Sequence, residues 1–497
     1  MKTDDFFERM NQAGLGLTFD DLRLKTGHSE VPPDKVELTS YFSQKIRLNF
    51  PLVSAAMDTV TEKDMAIAMA DCGGLGIIHR NMTPSDQAYQ VSKVKHYRNV
   101  LIRKPITISS ADTVERVLNM TERREFKFRS FPVVNTNGQL IGVVTGRDFE
   151  FCNQPKDKIQ NIMTRYVFTG STKTTPEEAE EIMRAKRIKI LPIVTNDNVL
   201  TGLYLWSDVT RLSRQSLHYS TTDSSGRLQV GAAIGTGKRE IARAEKLIDK
   251  EVDVLVIDTA HGDSGPVYET LVEVRKNWPE IDIVVGNVTE GDSALRLVKA
   301  GANGIKVGQG PGSICTTRII AGIGCPQATA IYNCVTALKG TNIPICADGG
   351  IKNSGDITIA LAIGAESVMV GRMIAGTDEA PGDITIIDGV PCRHYRGMGS
   401  LSAMKESSSS RSRYRQSNKG KLIPEGIEGA VPIQGPVAER LNLCVGGIRA
   451  GLGYVGAASL LELREKAQFY RLTSASQAES HPHDVHIIAE APNYSAE

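Results

Sequence analysis

Net charge is what this chain most conspicuously lacks. Its 58 basic residues stand against 57 acidic ones, for a net charge of +1. No basic field is available for nucleic acid or an anionic membrane surface, and neither partner is expected. No CxxC pair and no zinc-like spacing occurs among its eight cysteines, a usage that suits a reducing, cytoplasmic compartment. Cys72, Cys325, Cys334, Cys346 and Cys444 lie in apolar or helical surroundings and are expected as reduced, buried small hydrophobes. A secretory leader is not expected, because the first run, MKTDDFFERMNQ, is too charged. A stretch free of charge does run from Ile319 to Leu338. It contains Pro326, Gln327 and Asn333, so it reads as loop plus buried helix and not as a membrane span.

What is present is glycine, 46 residues of it, in a chain of 497 that is 41% hydrophobic. That length implies more than one domain, and the composition fits a protein of alternating strands and helices joined by tight loops. TFDDLRL (from Thr18) reads as a short strand. Two further apolar strands, PLVSAA (from Pro51) and LGIIHR (from Leu75), are each followed by a helical pattern. Six more follow after residue 229: VGAAIG, VDVLVID, IDIVVGN, GIKVG, IPICADGG and SVMVGRM, again with helical patterns between. Eight such units predict a (β/α)₈ TIM barrel, with functional groups on the loops after the strand C-termini. An open, doubly wound sheet is the rival. Polar residues fall where the barrel needs them: Ser54, Asp58, Asp258, Asn287, Ser313 to Thr317, Asp348, Gly371 and Arg372.

The rhythm breaks between about 101 and 215, where the chain repeats itself. FPVVNTNGQLIGVVTGRDF (from Phe131) aligns with LPIVTNDNVLTGLYLWSDV (from Leu191), so that Pro132 and Pro192, like Asp148 and Asp208, lie 60 residues apart. A duplicated unit that pairs with itself is the natural reading. The two copies resemble a tandem CBS (Bateman) module, about 101–160 and 161–215, inserted between barrel segments 1–100 and 216–497. In that resemblance the aspartate after the second strand holds a nucleotide ribose, so an adenine or guanine nucleotide is a possible ligand.

The loop VGQGPGSICTTR, Val307 to Arg318, carries the chemistry. Gly308, Gly310 and Gly312 let backbone approach a ligand closely, and Cys315 offers a thiol among bare amides, a candidate nucleophile. ADGG and VGR end the last two strands, the usual place for a phosphate in such barrels. Gly349, Gly350 and Gly371 allow close approach, Arg372 adds charge, and Asp348 stands ready to accept ribose hydroxyls. These features together suggest a nucleoside monophosphate whose base lies at Cys315. Two other motifs carry less. GLGYVG at 451–456 matches GxGxxG, yet no clear strand precedes it. HPHD near Glu479 offers two imidazoles and no third ligand at helical spacing. The serine-rich, basic run ESSSSRSRYRQSNKGK reads either as a solvated linker or as a flap that visits the site.

GPGSICTTR, SAAMDTVTE, ADGGI, YRGMGS, the repeat and ESHPHDV jointly resemble the inosine monophosphate dehydrogenase / guanosine monophosphate reductase family, in its bacterial dehydrogenase form, from about Leu17 to Ser495. The resemblance implies NAD-dependent oxidation of inosine monophosphate through a covalent adduct on Cys315, then hydrolysis, a step of guanine nucleotide synthesis. It places Ser54, Met57, Ser313, Asp348, Gly349, Gly350, Gly371, Arg372, Tyr395, Met398, Gly399 and Glu425 on the nucleotide. It places Asp258, Thr259, Asn287, Gly308, Gly310 and Thr317 on the cofactor. Arg413 and Tyr414 become the dyad of a flap at about 385–435 that activates water, with Thr317 and Glu425 as a second proton route. Carbonyls of Gly310, Gly312 and Cys315 imply a potassium site, completed by Glu479, Ser480 and His481 of a neighbouring subunit in a homotetramer. Gln309 and Arg372 depart from the family pattern, and Arg411 and Arg415 flank the dyad. Guanosine monophosphate reductase, or an inactive nucleotide-sensing relative, is the alternative.

Overall fold

The computed structural model describes residues 2–97, 100–123, 130–152, 154–214, 219–416, 421–489 and 491–494. The chain divides into two compact units, one made of Met1–His96 with Tyr219–Glu497, the other of Tyr97–His218.

Eight parallel strands of the larger unit close into a barrel. They are β1 (Leu52–Ser54), β2 (Leu75–Ile78), β3 (Gly231–Ile234), β4 (Val254–Asp258), β5 (Asp282–Val288), β6 (Gly304–Val307), β7 (Ile345–Asp348) and β8 (Ser367–Val370). Each pairs with the next in sequence, and β8 closes on β1 through Val368↔Leu52 and Val370↔Ser54. These are the eight apolar runs read from the sequence. They are apolar throughout because helices cover one face and barrel side chains fill the other. Val53, Leu75, Ile77, Val254, Val256, Val284 and Met369 form the interior. Phe42, Ile46 and Leu48 join the same cluster from a short hairpin, Ser40–Tyr41 with Arg47–Leu48. Lys45 N–H bonds Asp282 at the start of β5 at 2.8 Å. The hairpin therefore plugs the N-terminal end, and the strand C-termini frame the open mouth.

Strands β1 to β7 are each followed by a longer helix: α1 (Lys63–Asp71), α2 (Pro84–Lys95), α3 (Lys238–Ile248), α4 (Gly265–Asn277), α5 (Gly291–Lys299), α6 (Gln327–Ala337) and α7 (Ser354–Ile363). The eighth, α8 (Val437–Val455), arrives only after a long excursion from β8 and packs on α7. GLGYVG lies at its end. A Cβ on Gly451 would meet Thr358 of α7 at 2.7 Å, so this glycine serves helix packing and not a nucleotide. Thr18–Leu24, expected as a strand, is a 3-10 turn at Phe19–Asp21 and then a strand over Leu22–Leu24 only, because Asp21 bonds back to Thr18 N–H at 2.8 Å. Cys72 and Cys325, expected as buried, are half-exposed; Cys334, Cys346 and Cys444 are buried, and all eight cysteines are free. Among the described residues no helix is long and apolar enough to cross a membrane.

The smaller unit contains the repeat. Phe131–Val134 pairs antiparallel with Leu140–Val144, and Ile190–Val194 with Leu200–Leu205; Pro132 opposes Val143 as Pro192 opposes Leu203. Helices Val114–Arg123 and Pro176–Lys186 precede the two hairpins, and Gly146–Glu150 and Trp206–Arg214 follow them. Asp148 accepts from Thr145 N–H at 2.7 Å, so it caps its own helix. The boundary expected at 215 lies outside the described residues.

Candidate active site

A cleft opens at the C-terminal mouth. Every strand from β4 to β8 brings a residue to it. Asp258 ends β4, Asn287 lies in β5, Lys306 in β6, Asp348 ends β7 and Met369 lies in β8. The loop after β1 adds Ala55 to Met57. The loop after β6 adds Gly308 to Gly312, Ile314, Cys315 and Thr317.

That loop is shaped by its glycines. Gly308 has φ +144°, and a Cβ there would fall 2.2 Å from the Asp348 carbonyl oxygen. Only glycine lets β6 turn so close to β7. The turn places Cys315 Sγ 3.2 Å from Thr317 Oγ1. Thr317 donates onward to Glu425 Oε2 at 2.8 Å, and Thr316 N–H bonds the Glu425 carbonyl at 3.0 Å. A thiol, a hydroxyl and a carboxylate thus form a continuous proton path beside the nucleophile.

A buried charge cluster forms the other wall. Asp258 takes Arg413 on Oδ2 and Lys306 on Oδ1, the latter at 2.8 Å. Lys306 also reaches Asp348 Oδ2, at 2.5 Å, and Asn287 Nδ2 donates to the same oxygen at 2.9 Å. Burial works to raise the Asp258 carboxyl, but Arg413 and Lys306 outweigh it and hold it well below the usual carboxylate range. Sequence reading missed Lys306. Its signal was there: a lone lysine inside the apolar run GIKVG, in a strand buried on both faces.

Arg413 comes from the excursion after β8. β9 (Ile384–Ile387), β10 (Val390–Arg396) and β11 (Glu428–Pro432) form an antiparallel sheet. Between β10 and β11 lie two short helices, Leu401–Glu406 and Ser408–Arg413. The serine-rich run therefore includes helix at Ser408–Arg413; its residues 417–420 lie outside the described residues. It is fastened to the barrel. Arg396 ion-pairs Asp58 at 2.7 Å, Asn81 donates to Ser410 at 2.9 Å, and the buried Arg80 donates to Ser412 at 3.1 Å. Burial pulls Arg80 down to about 10, with Glu240 opposing that shift and the nearby Arg413 adding to it. Tyr414 packs over Gly399, where a Cβ would lie 2.6 Å from its ring. Burial pushes its phenol up to about 12. Arg80, Asn81 and Asp58 were not expected as partners of this segment.

Most of the expected site residues meet in the cleft. Cys315, Thr317, Glu425, Arg413, Tyr414, Asp258, Asn287, Gly308, Gly310, Gly312, Asp348, Gly349, Met57, Tyr395 and Met398 line it. Others flank it. Gly371 lies against Tyr395 and Met57, with Cβ approaches of 3.1 and 3.4 Å, and Arg372 opens a short helix with its side chain exposed. Gly350 has φ +80° beside Pro311 and Phe19. Ser313 bonds Tyr395, an interaction that tempers the upward push of burial on that phenol. Gly399 sits behind Tyr414. Ser54 and Thr259 face inward instead: Ser54 accepts from Thr61 Oγ1 at 2.8 Å, and Thr259 donates to the Gly286 carbonyl at 2.8 Å. Glu479, Ser480 and His481 are exposed and do not line the cleft; Ser480 and His481 bond Ser476 and Tyr494. Of the two departures, Gln309 donates to the Ala260 carbonyl at 2.9 Å and so ties the loop after β6 to that after β4.

The donor chemistry fits both groups expected here. For a nicotinamide dinucleotide, Asp258 offers a carboxylate, and Asn287 Oδ1 is buried without a hydrogen-bond partner. For a potassium ion, the loop offers hard carbonyl oxygens at Gly310, Gly312 and Cys315, the kind alkali cations take.

Comparison with known proteins agrees with this geometry. Residues 16–483 match the IMP dehydrogenase / GMP reductase domain family. The inosine-5'-monophosphate dehydrogenase of Aquifex aeolicus is 47% identical over 483 residues, covering 96% of this chain and 97% of that protein. Its counterpart from Bacillus subtilis is 46% identical, covering 97% and 98%. The crystal structure of a variant GMP reductase from Trypanosoma brucei, in complex with guanosine 5'-monophosphate, superposes with a TM-score of 0.83. It is 36% identical and covers 96% of this chain and 100% of that one.

Proposed function

The chain belongs to the IMP dehydrogenase / GMP reductase family, and on that premise we propose that it oxidises inosine monophosphate to xanthosine monophosphate with NAD as acceptor. The phosphate lies against the glycine turns at Gly349, Gly350 and Gly371, near Arg372, and Asp348 accepts the ribose hydroxyls. The base then reaches Cys315. Cys315 gives its proton to the Thr317–Glu425 path, Sγ forms a bond to carbon 2 of the hypoxanthine ring, and the hydrogen on that carbon departs with its electron pair, leaving a thioimidate on the enzyme. Bound NAD supplies the acceptor for that hydride. Water next adds to carbon 2, the carbon–sulfur bond breaks, and Cys315 is regenerated. Thr317 and Glu425 carry away a proton of that water, a role their 2.8 Å contact suits. Covalent catalysis replaces one hard displacement with two easier steps.

The observation that carries this reading is the docking of Arg413 on Asp258 with Tyr414 beside the thiol loop. The arginine holds the carboxylate that would take the cofactor ribose, so flap and cofactor share one place and act in turn. Potassium would hold the thiol loop by its carbonyls, with Glu479, Ser480 and His481 of a neighbouring subunit in a homotetramer. The smaller unit is read as a CBS pair for an adenine or guanine nucleotide. The test is incubation with inosine monophosphate, NAD and potassium, followed at the NADH absorbance. Absence of NADH, with ammonia released from guanosine monophosphate and NADPH instead, would establish the reductase.

A further inference from the structure

Lys306 takes no part in the bond-making steps above, yet it stands between the two halves of the cleft. All four residues of β6 are buried, and the Lys306 side chain is 3% exposed. Gly286 on β5 makes room for it: a Cβ there would fall 2.6 Å from the Cβ of Lys306. Its ammonium touches Asp348 on the nucleotide side and Asp258 on the side where Arg413 docks. Burial works against a charged lysine, but these two carboxylates outweigh it and keep the group protonated.

With Arg413 docked, two cations face two carboxylates and balance, and Arg80 close by has its own partner in Glu240 at 3.8 Å. With Arg413 withdrawn, one negative charge is left. An oxidised nicotinamide ring is a cation, and a reduced one is neutral. In a buried cleft that difference counts for far more than it does in water.

We propose that Lys306 is a positioning residue that fixes the emptied cleft at a single negative charge, so that Arg413 and the nicotinamide cation alternate in one pocket. Without the lysine, two carboxylates would face the arginine and hold it too tightly to leave. With it, the pocket prefers the cation before hydride transfer and the arginine afterwards. The return of the flap is thereby tied to reduction itself. This inference rests on the dehydrogenase reading, since it assigns the alternate occupant.

Hydrogen–deuterium exchange over residues 408–416 of the full-length protein reads the docking directly. In the ligand-free protein, Lys306→Met is expected to slow flap exchange by about tenfold, from the lost repulsion between two buried cations. Exchange elsewhere in the barrel would stay level or rise, and Lys306→Arg would restore the wild-type flap rate. A merely structural lysine would instead loosen barrel and flap together. In Cys315→Ala protein saturated with inosine monophosphate, where no turnover alters the cofactor, NAD is expected to speed flap exchange and NADH at equal concentration is not. Unchanged or faster flap exchange in Lys306→Met, or equal release by both dinucleotides, overturns the proposal. Should Lys306→Met not fold, Lys306→Gln removes the same charge from a polar side chain, and its flap exchange decides by the same criterion. Failure to make NADH would strike the dehydrogenase reading, whereas exchange in the ligand-free variant still reports the charge of the cleft.

Discussion

Cys315 is one of eight free thiols, four of which, Cys334, Cys346, Cys392 and Cys444, are buried. Desolvation pushes Cys72 and Cys325 up to about 11 and Cys346 up to about 12, and raises Cys334 and Cys444 too. Those groups stay protonated near neutrality and are poor nucleophiles. Cys315 stands half-buried in the cleft with a hydroxyl at 3.2 Å. Cys315→Ala removes the attacking atom and two weak hydrogen bonds, to Thr317 Oγ1 and the Glu425 carbonyl, so turnover should vanish while the melting temperature and inosine monophosphate affinity change little. Turnover measured in that variant would exclude a thiol mechanism. At this scale the loop was legible, because glycines flanking a lone cysteine are a local signal. Lys306 was not, because its meaning depends on two aspartates 48 and 42 residues away in sequence, which only barrel closure brings together.

At the scale of elements, the segment carrying Arg413 is held by tertiary contact and hardly at all by its own propensity. Serine favours caps and turns over helix interiors, and Ser408–Arg413 makes less than two turns of helix. Its order comes from Arg80, Asn81 and Asp58, all on distant parts of the chain, the last through its pair with Arg396. This is why the run read equally well as linker or as flap. Arg396 joins Asp58, Ser402 and Glu406 in one fan of hydrogen bonds. Arg396→Met should therefore free the segment, costing about 1.5–3 kcal/mol of docking. Limited proteolysis would show faster cleavage after Arg411 to Arg415, with the barrel core unaffected. An unchanged cleavage rate would mean the segment is anchored elsewhere.

At the scale of the molecule, the barrel was legible from its apolar runs, since a strand buried on both faces needs no alternation to reveal it. The displaced eighth helix was not, because α8 follows β8 only after the sheet of β9 to β11. The smaller unit contributes no barrel strand. Buried Lys95, just before it, holds Asp223, just after it, at 2.9 Å, so the chain leaves and rejoins the barrel at one place. Replacing 97–218 with a short linker should leave a folded barrel whose turnover with inosine monophosphate and NAD is largely retained. Loss of cooperative thermal unfolding in that shortened protein would show that the two units depend on each other.

The closing seam between β8 and β1 bears on how the protein is made. Leu52 finds its neighbour only at Val368. During synthesis the first two strands must therefore wait, apolar and half-paired, until some three hundred further residues have left the ribosome. The smaller unit, whose strand pairs lie within one continuous segment, is complete long before then. Chains of this kind fold late at their oldest end, and their need for chaperone protection should peak just before β8 emerges.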